Sequence, residues 1–394
     1  MARPLRLLYL NPSLTQGGAE RHVVDMVANL DRARFDVAMC VVRPGIHYTA
    51  ELPAGEPRFH LQRALFSPGT LRAVVETIRR FQPDVLHSHL NDGNLLARLA
   101  TRFAPVPAVV TSVHLDDMSW LYRRAERMLW RYSNRIVAVS SGVRDFLIAR
   151  VGIPADRIEV VVNGTDPRRF LPAEGNQRLL ARQRFGVDER ALVALMPARI
   201  SHQKNQDLVI EAMGRLKKAG KLPAEFQLLL AGRTSSKQLL KRLRSRVASL
   251  GLENQVRFLG TVVEMQMLYW VSDVILMPSR SEGSSIAALE AMSAGLPILI
   301  SDRGNTDGVI VDGETGWQIP ANDIVALERA LDVIVRIPPA ERHRLGVAAR
   351  RRIEGGYTLA RVARDLETLY TSLLRDAHQR TDSDGQRGHA TPAA

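Results

Sequence analysis

Val274-Ile275-Leu276-Met277, then the loop Pro278-Ser279-Arg280-Ser281-Glu282-Gly283-Ser284-Ser285, then Ile286-Ala287-Ala288-Leu289-Glu290-Ala291-Met292-Ser293 reads as a buried strand, a turn and a helix. A helix turn takes roughly 3.6 residues, so a helix starting near Ser284 carries Glu290 in its second turn and leaves Glu282 in the loop before it. The free amides of the first helical turn point into whatever the loop holds. The stretch is an anion seat flanked by two acids. By themselves, two such acids can also serve a hydrolase that uses paired carboxylates.

Working outward, the same strand-to-helix alternation fills the second half of the chain: strands at Leu192–Met196, Phe226–Ala231, Val256–Leu259, Pro297–Ser301 and Gly316–Ile319, and helices from Asp207, Lys237, Asp323 and near Ala340. The strand Leu192–Met196 runs into Pro197-Ala198-Arg199-Ile200-Ser201-His202-Gln203-Lys204-Asn205. Arg199 and Lys204 are thus strand-end cations, and aimed at the same cleft as Glu282 they can neutralise a diphosphate. Taken alone, such a pair is an ordinary surface feature.

The first half repeats the pattern. Leu5–Leu10 is a strand, Asn11–Gly18 a loop, and Val23, Val24, Met26, Val27 and Leu30 mark a helix. Gly17-Gly18 at that helix start suits either a tight turn or a phosphate loop. The dinucleotide fingerprint is excluded: no G-x-G-x-x-G is present, and the next strand, Asp36–Val42, ends at Arg43 rather than at an acid for ribose. Asp84–His89 and Ala108–His114 follow, placing His87, His89 and His114 at strand ends, where open parallel sheets bind ligands. Each histidine suits a hydrogen-bonded turn as well as a site; His114, ahead of Asp116 and Asp117, is the best placed. Zinc is disfavoured, since no helical His-x3-His spacing and no accompanying cysteine is present.

Ile136–Ser141 and Ile158–Gly164 complete this half, and Pro167–Gly175 reads as a linker. The alternation predicts an α/β chain of two Rossmann-like domains, each a parallel sheet with covering helices, with ligands bound in a cleft between them. The expected boundaries are 1–170 and 171–355, with a helix over 356–376 and an unstructured tail over 377–394. Asp382-Ser383-Asp384 in that tail reads as chance rather than as a metal-nucleotide site.

The 394 residues are 45% hydrophobic, which supports two packed cores and excludes a disordered chain. No apolar run reaches the about 18 residues of a membrane span, and the N-terminus leads into a strand rather than a cleavable signal, so a cytoplasmic protein is expected. The single cysteine, Cys40, lies in an apolar strand and reads as core filler. An excess of 54 Lys and Arg over 41 Asp and Glu gives +13, which favours anionic partners without choosing among nucleic acid, acidic lipid and phosphorylated small molecules. Trp120–Arg135 carries Arg123, Arg124, Arg127, Arg131 and Arg135 on one arc, with Trp120 inside it and Trp130 at its edge, while Leu121, Ala125, Met128 and Tyr132 form the next arc. This basic amphipathic helix suits an anionic membrane surface or an ordinary solvated arginine face.

Together these residues resemble the retaining GT-B fold glycosyltransferases of family four, with their Glu-x7-Glu motif. The carriers are Gly17-Gly18-Ala19-Glu20, His114, Val162-Asn163-Gly164-Thr165-Asp166, Arg199 with Lys204, and Glu282-Gly283 through Glu290-Ala291-Met292-Ser293-Ala294-Gly295-Leu296-Pro297. The resemblance spans nearly the whole chain and implies two lobes, with the last helix crossing back onto the first. It implies a nucleotide-sugar donor, UDP- or GDP-linked, whose diphosphate is bound by Arg199, Lys204, the Gly17-Gly18 loop and the amides near Ser284, Ser285 and Ile286. It further implies that Glu290 holds the ribose, that Glu282 contacts the transferred sugar as nucleophile or electrostatic stabiliser, and that His114 sits by that sugar. Transfer to a glycan or lipid-linked acceptor would retain configuration and need no cofactor or metal, which agrees with two cations and a helix N-terminus stabilising the leaving diphosphate.

Two departures fall near the sugar and its phosphates: Thr306-Asp307-Gly308 where a Pro-Glu pair is common, and Ser284-Ser285 where Phe-Gly is common. A sugar-nucleotide epimerase shares the two-lobed fold, and a substrate sensor is disfavoured by the presence of both glutamates and both cations. A nucleic-acid-binding protein is supported only by charge: aromatics are only 5%, so no nucleic-acid partner is expected.

Overall fold

Seven short strands form one all-parallel sheet: β1 (Leu5–Asn11), β2 (Phe35–Val41), β3 (Arg58–His60), β4 (Val85–His89), β5 (Ala108–Val113), β6 (Arg135–Ala138) and β7 (Ile158–Val160). Their spatial order is β3-β2-β1-β4-β5-β6-β7. Most positions of β1, β2, β4 and β5 are buried, as expected of parallel strands covered on both faces. Six further strands, β8 (Leu192–Pro197), β9 (Phe226–Ala231), β10 (Val256–Gly260), β11 (Val274–Met277), β12 (Ile298–Ser301) and β13 (Gly316–Ile319), form a second parallel sheet ordered β10-β9-β8-β11-β12-β13. The computed structural model describes residues 3–15, 17–44, 58–65 and 67–387. They divide into two compact units, one comprising residues up to Asn163 and those from Leu359 on, the other Gly164 to Thr358.

In the first unit, α1 (Gly18–Asn29) and α13 (Leu359–Arg387) cover one face, while α2 (Pro68–Phe81) and α3 (Leu90–Ala100) cover the other; α4 (Trp120–Leu129) and α5 (Ser141–Phe146) flank β6. Leu359, Val362, Leu366, Leu369, Tyr370 and Leu373 share the core of β1, β2 and α1. The hydroxyls of Tyr370 and Tyr9 share a hydrogen bond of 3.0 Å. The helix α13 continues well past 376, into the stretch expected to be unstructured. Ala377-His378-Gln379-Arg380 contains no breaker, and extending an established helix is far easier than nucleating one. Residues 388–394 and the side chains of Asp382 and Asp384 lie outside the described residues.

The second unit starts earlier than the proline-rich linker suggests. Thr165 N donates to Tyr357 O, Thr165 bridges Thr358, and Phe170 packs edge-on against Tyr269 in the core of this unit. Its covering helices are α6 (Gln177–Arg184), α7 (Gln206–Lys218), α8 (Lys237–Ser249), α9 (Met265–Val271), α10 (Ile286–Ser293), α11 (Ile324–Arg336) and α12 (Pro339–Gly356). Gly295 ends α10 in the left-handed region, φ 77°, and a Cβ on Gly346 of α12 would lie 1.9 Å from its carbonyl oxygen. Only glycine allows the two backbones to approach so closely.

The basic helix corrects the arc expected from periodicity. α4 covers Trp120–Leu129 only, followed by a single 3-10 turn over Trp130–Tyr132. Trp130 is 9% exposed, with the guanidinium groups of Arg131 and Arg157 over its ring, whereas Leu121 and Met128 point outward with Trp120. The cause is Glu126, which turns inward to a bidentate pair with Arg98 of α3 at 2.6 and 2.7 Å. Arg98 also donates to Ser133 and Thr111, so this buried charge pair is fully hydrogen-bonded. Cys40 is buried in β2, and burial pushes its thiol pKa up to about 12. Among the described residues no helix is long and apolar enough to cross a membrane, and no cluster of His, Cys, Asp and Glu could hold a metal ion.

Candidate active site

In the second unit, β8 and β11 are adjacent and parallel, so the loops after them lie side by side at the carboxyl ends of the sheet. The loop after β8 carries Arg199 and Lys204; the loop after β11 carries Glu282. Asn205 stitches the two together from a left-handed conformation, φ 62°, that asparagine tolerates. Its Nδ2 donates to Pro278 O and to Asn322 Oδ1, and its Oδ1 accepts from Arg280 Nε. Gln203 adds a second seam: its carbonyl accepts from Arg280 N and its Nε2 donates to Ser281 O.

This stitching brings Lys204 into direct contact with Glu282, Nζ to Oε1, with both side chains largely buried. Ser279 Oγ donates to the same oxygen at 2.8 Å, and Ser279 is in turn held by Ser301, whose Oγ donates to Ser279 O. Glu282 Oε2 has no partner among the described residues. One oxygen is anchored and the other is available to a ligand. Arg199 is exposed; its carbonyl accepts from Gln206, and its side chain makes no described contact with Lys204.

The helix α10 starts two residues later than Ser284, with Ser285 as its cap: Ser285 Oγ accepts from Ala288 N. Glu290 lies in its second turn, half-buried, and accepts a 2.8 Å hydrogen bond from Tyr269 OH of α9. Burial, reinforced by the Glu290 charge, holds the Tyr269 phenol well above its ordinary pKa, so it remains a donor. Ser284, Ser285 and the helix start line a small cavity with Gly304, Asn305, Thr306 and Asp307. The two sequence departures therefore converge on one place. Asn305 fixes that loop by donating to Ile310 O and accepting from Ile310 N.

In the first unit, Gly17 caps α1 and Gly18 is its first residue. A Cβ on Gly17 would lie 2.2 Å from Glu20 Oε2, so a carboxylate already sits over this helix start. His114 follows β5 and is 8% exposed; its Nε2 shares a 3.1 Å hydrogen bond with His89 Nδ1. His87 instead serves the core, with Nδ1 at 2.5 Å from Tyr370 OH and Nε2 at 2.8 Å from Ser112 Oγ. The three strand-end histidines thus divide into one structural residue and one contacting pair. Asn205, Gln203 and Tyr269 are not legible in the sequence, because their partners are remote along the chain; Ser279 lies three residues before Glu282 but reads as an ordinary loop serine. The one local signal was an asparagine directly after Lys204, a residue type suited to the left-handed turn that the geometry requires.

Two all-parallel Rossmann-like units, of seven and six strands, define the GT-B class of fold, and solved structures of that class match. Anabaena Alr3699/HepE, crystallised with UDP and glucose, superposes with a TM-score of 0.82 at 20% identity, over 93% of this chain and all of that one. The model of Glycosyltransferase Family 4 matches residues 16–169, and that of Glycosyl transferases group 1 matches residues 177–352. The lipopolysaccharide core biosynthesis mannosyltransferase LpcC of Rhizobium leguminosarum is 30% identical over 352 residues, 86% of this chain and 91% of its own. A D-inositol 3-phosphate glycosyltransferase of Salinispora tropica is 28% identical over 81% of this chain and 70% of its own. The chain belongs to the family four, group 1 glycosyltransferases.

Proposed function

We propose that the protein moves a sugar from a UDP- or GDP-sugar to a glycan or lipid-linked acceptor, with retention of configuration, in cell-envelope polysaccharide or glycolipid synthesis. The observation that carries this is the Lys204–Glu282–Ser279 cluster beside the start of α10, with Glu290 held by Tyr269 in the same unit. Lys204 has three N–H donors and spends one on Glu282, leaving the others for phosphate oxygens. Arg199 and the first amides of α10, near Ser284, Ser285 and Ile286, add positive potential for the departing diphosphate, so no metal is required. Glu290, oriented by Tyr269, takes the ribose hydroxyls.

Glu282 is read as a hydrogen-bond acceptor for a sugar hydroxyl rather than as a nucleophile. Its Oε1 is already neutralised by an ammonium and a hydroxyl, which lowers nucleophilicity while leaving Oε2 to accept. The first unit supplies Gly17 and Gly18 at a helix start, and His114 as a sugar-facing group. The names of relatives support this range of substrates: LpcC is a mannosyltransferase of lipopolysaccharide core synthesis, and another relative is a UDP-galactose galactosyltransferase acting on a diphosphoundecaprenol acceptor. Screening nucleotide sugars by thermal shift, then offering the best binder with lipid-linked acceptors and reading the anomeric product by NMR, tests the reading. An isomerised nucleotide sugar formed without acceptor would replace it with an epimerase.

The protein is further proposed to work in the cytoplasm and to meet anionic membrane through α4. Trp120 (60% exposed), Leu121 and Met128 stand exposed among arginines, and Arg123, Arg124, Arg127 and Arg150 line one depression with Trp120 and Met128. Exposed indole and aliphatic groups ringed by cations suit an acidic headgroup layer. The protein should sediment with anionic vesicles at low salt; equal partitioning to neutral vesicles would remove this role.

A further inference from the structure

At the carboxyl rim of the first sheet two buried side chains keep polar atoms without partners among the described residues: Asn11 through Oδ1 and Nδ2, and His89 through Nε2. Asn11 is 0% exposed and His89 1%. In the β1–β4 register Tyr9 pairs with His87 and Leu10 with Ser88, which sets Asn11 level with His89 on the adjacent strand. Side chains alternate along a strand, so Tyr9, Asn11, His87 and His89 share one face. The His89 ring is wedged there, stacked 5.4 Å from Tyr9 and tilted against His87 at 4.3 Å. Its remaining nitrogen, Nδ1, meets His114 Nε2, the single hydrogen bond of the His114 ring among the described residues. Nδ1 of His114 is then the nitrogen left for a ligand.

Two neutral imidazoles that share one hydrogen bond lock each other's tautomers, because one nitrogen must donate and the other accept. Burial keeps this group neutral, pushing His114 down to about 4 and His89 well below its ordinary value. If His114 Nε2 carries the proton, His89 Nδ1 accepts its hydrogen bond, and His89 then carries its own proton on the otherwise unpartnered Nε2. Both rings then hold the Nε2–H form that neutral imidazole prefers in water. The reverse arrangement puts both in the less favoured form.

We propose that His89 is a positioning residue for His114, holding it as the Nε2–H tautomer so that its Nδ1 presents a lone pair to a substrate hydroxyl. This rests on the reading of His114 as a sugar-facing group. The expectation is specific: His114 accepts a hydrogen bond from the sugar or acceptor and does not donate one.

The test is long-range proton–nitrogen correlation on protein labelled with 15N-histidine, using the full chain. In the wild type, His114 should show a protonated Nε2 and a bare Nδ1. His89→Leu should give a mixed His114 tautomer and lower kcat at least about 10-fold with little change in donor KM, as expected when a reacting geometry is loosened. His89→Asn, whose amide oxygen can replace Nδ1 as acceptor, should restore both. A protonated Nδ1 on wild-type His114, or an unchanged tautomer in His89→Leu, overturns the proposal. The tautomer is read without turnover, so a correct tautomer in a protein that transfers no sugar leaves the positioning role standing and removes the function instead.

Discussion

Glu282 has carboxylate oxygens in unlike circumstances, one held by Lys204 and Ser279 and the other open, and this asymmetry sets the first prediction. Glu282→Ala should cost turnover on the order of 100-fold or more while donor affinity, read by calorimetry, changes far less. Glu290→Ala and Lys204→Ala should instead act mainly on donor affinity. Wild-type turnover in Glu282→Ala would remove its role at the sugar. The acids and cations were legible as residue types at strand ends. Their pairing was not: Lys204 and Glu282 lie far apart in sequence, and only the adjacency of β8 and β11 joins them. The inward Glu126 was equally hidden, since an acid within an arginine-rich helix reads as solvated until Arg98 of another helix is known to meet it. Glu126→Ala should destabilise by about 3–5 kcal/mol in urea denaturation, because it strands a buried guanidinium.

At the scale of elements, the parallel strands were legible as apolar runs except the three-residue edge strand β3, whose Arg58-Phe59-His60 carries no such signal, and most long helices were legible as periodicity. Where α4 and α13 differ from expectation, the cause lies outside the helix in one case and in propagation from a packed segment in the other. Helix α10 depends on a neighbour in a way that no local pattern signals: Gly346 of α12 meets Gly295 backbone to backbone. Gly346→Ala should push α12 away from α10 and cost about 1–3 kcal/mol, the usual range for overpacking. Because α10 carries Glu290, the same variant should also weaken donor binding, measurable in one thermal-shift series with and without nucleotide sugar. Unchanged melting temperature in Gly346→Ala would show that the helices can part freely.

For the molecule as a whole, buried neutral histidines tie stability to pH. His87 is pushed down to about 3 by burial, with His114 contributing, and His114 to about 4, against an ordinary value of 6.5. In the unfolded chain these rings take up protons below pH 6.5, whereas in the folded chain they do not. The stabilisation is therefore complete above pH 6.5 and is lost as pH falls towards 4. Each ring contributes a slope of up to about 1.4 kcal/mol per pH unit in that window. His87→Gln should flatten the pH dependence of urea unfolding there, and an unaltered slope would mean that His87 is charged in the fold. Two domains were legible from the repeated alternation, but the boundary at Asn163 and Gly164 was not. Thr165 and Phe170 belong to the second unit through contacts with Tyr357, Thr358 and Tyr269, which the proline-rich look of the segment conceals.

The split of the first unit across both ends of the chain also bears on the order of assembly during synthesis. Residues up to Asn163 leave the ribosome first, yet the core they build includes Leu366, Leu369, Tyr370 and Leu373 of α13. The second unit is continuous and can complete its core while translation is still under way. Of the two units, the one begun first is therefore the last to be finished, and until α13 emerges its half-built sheet holds an apolar face that must be kept from other nascent chains.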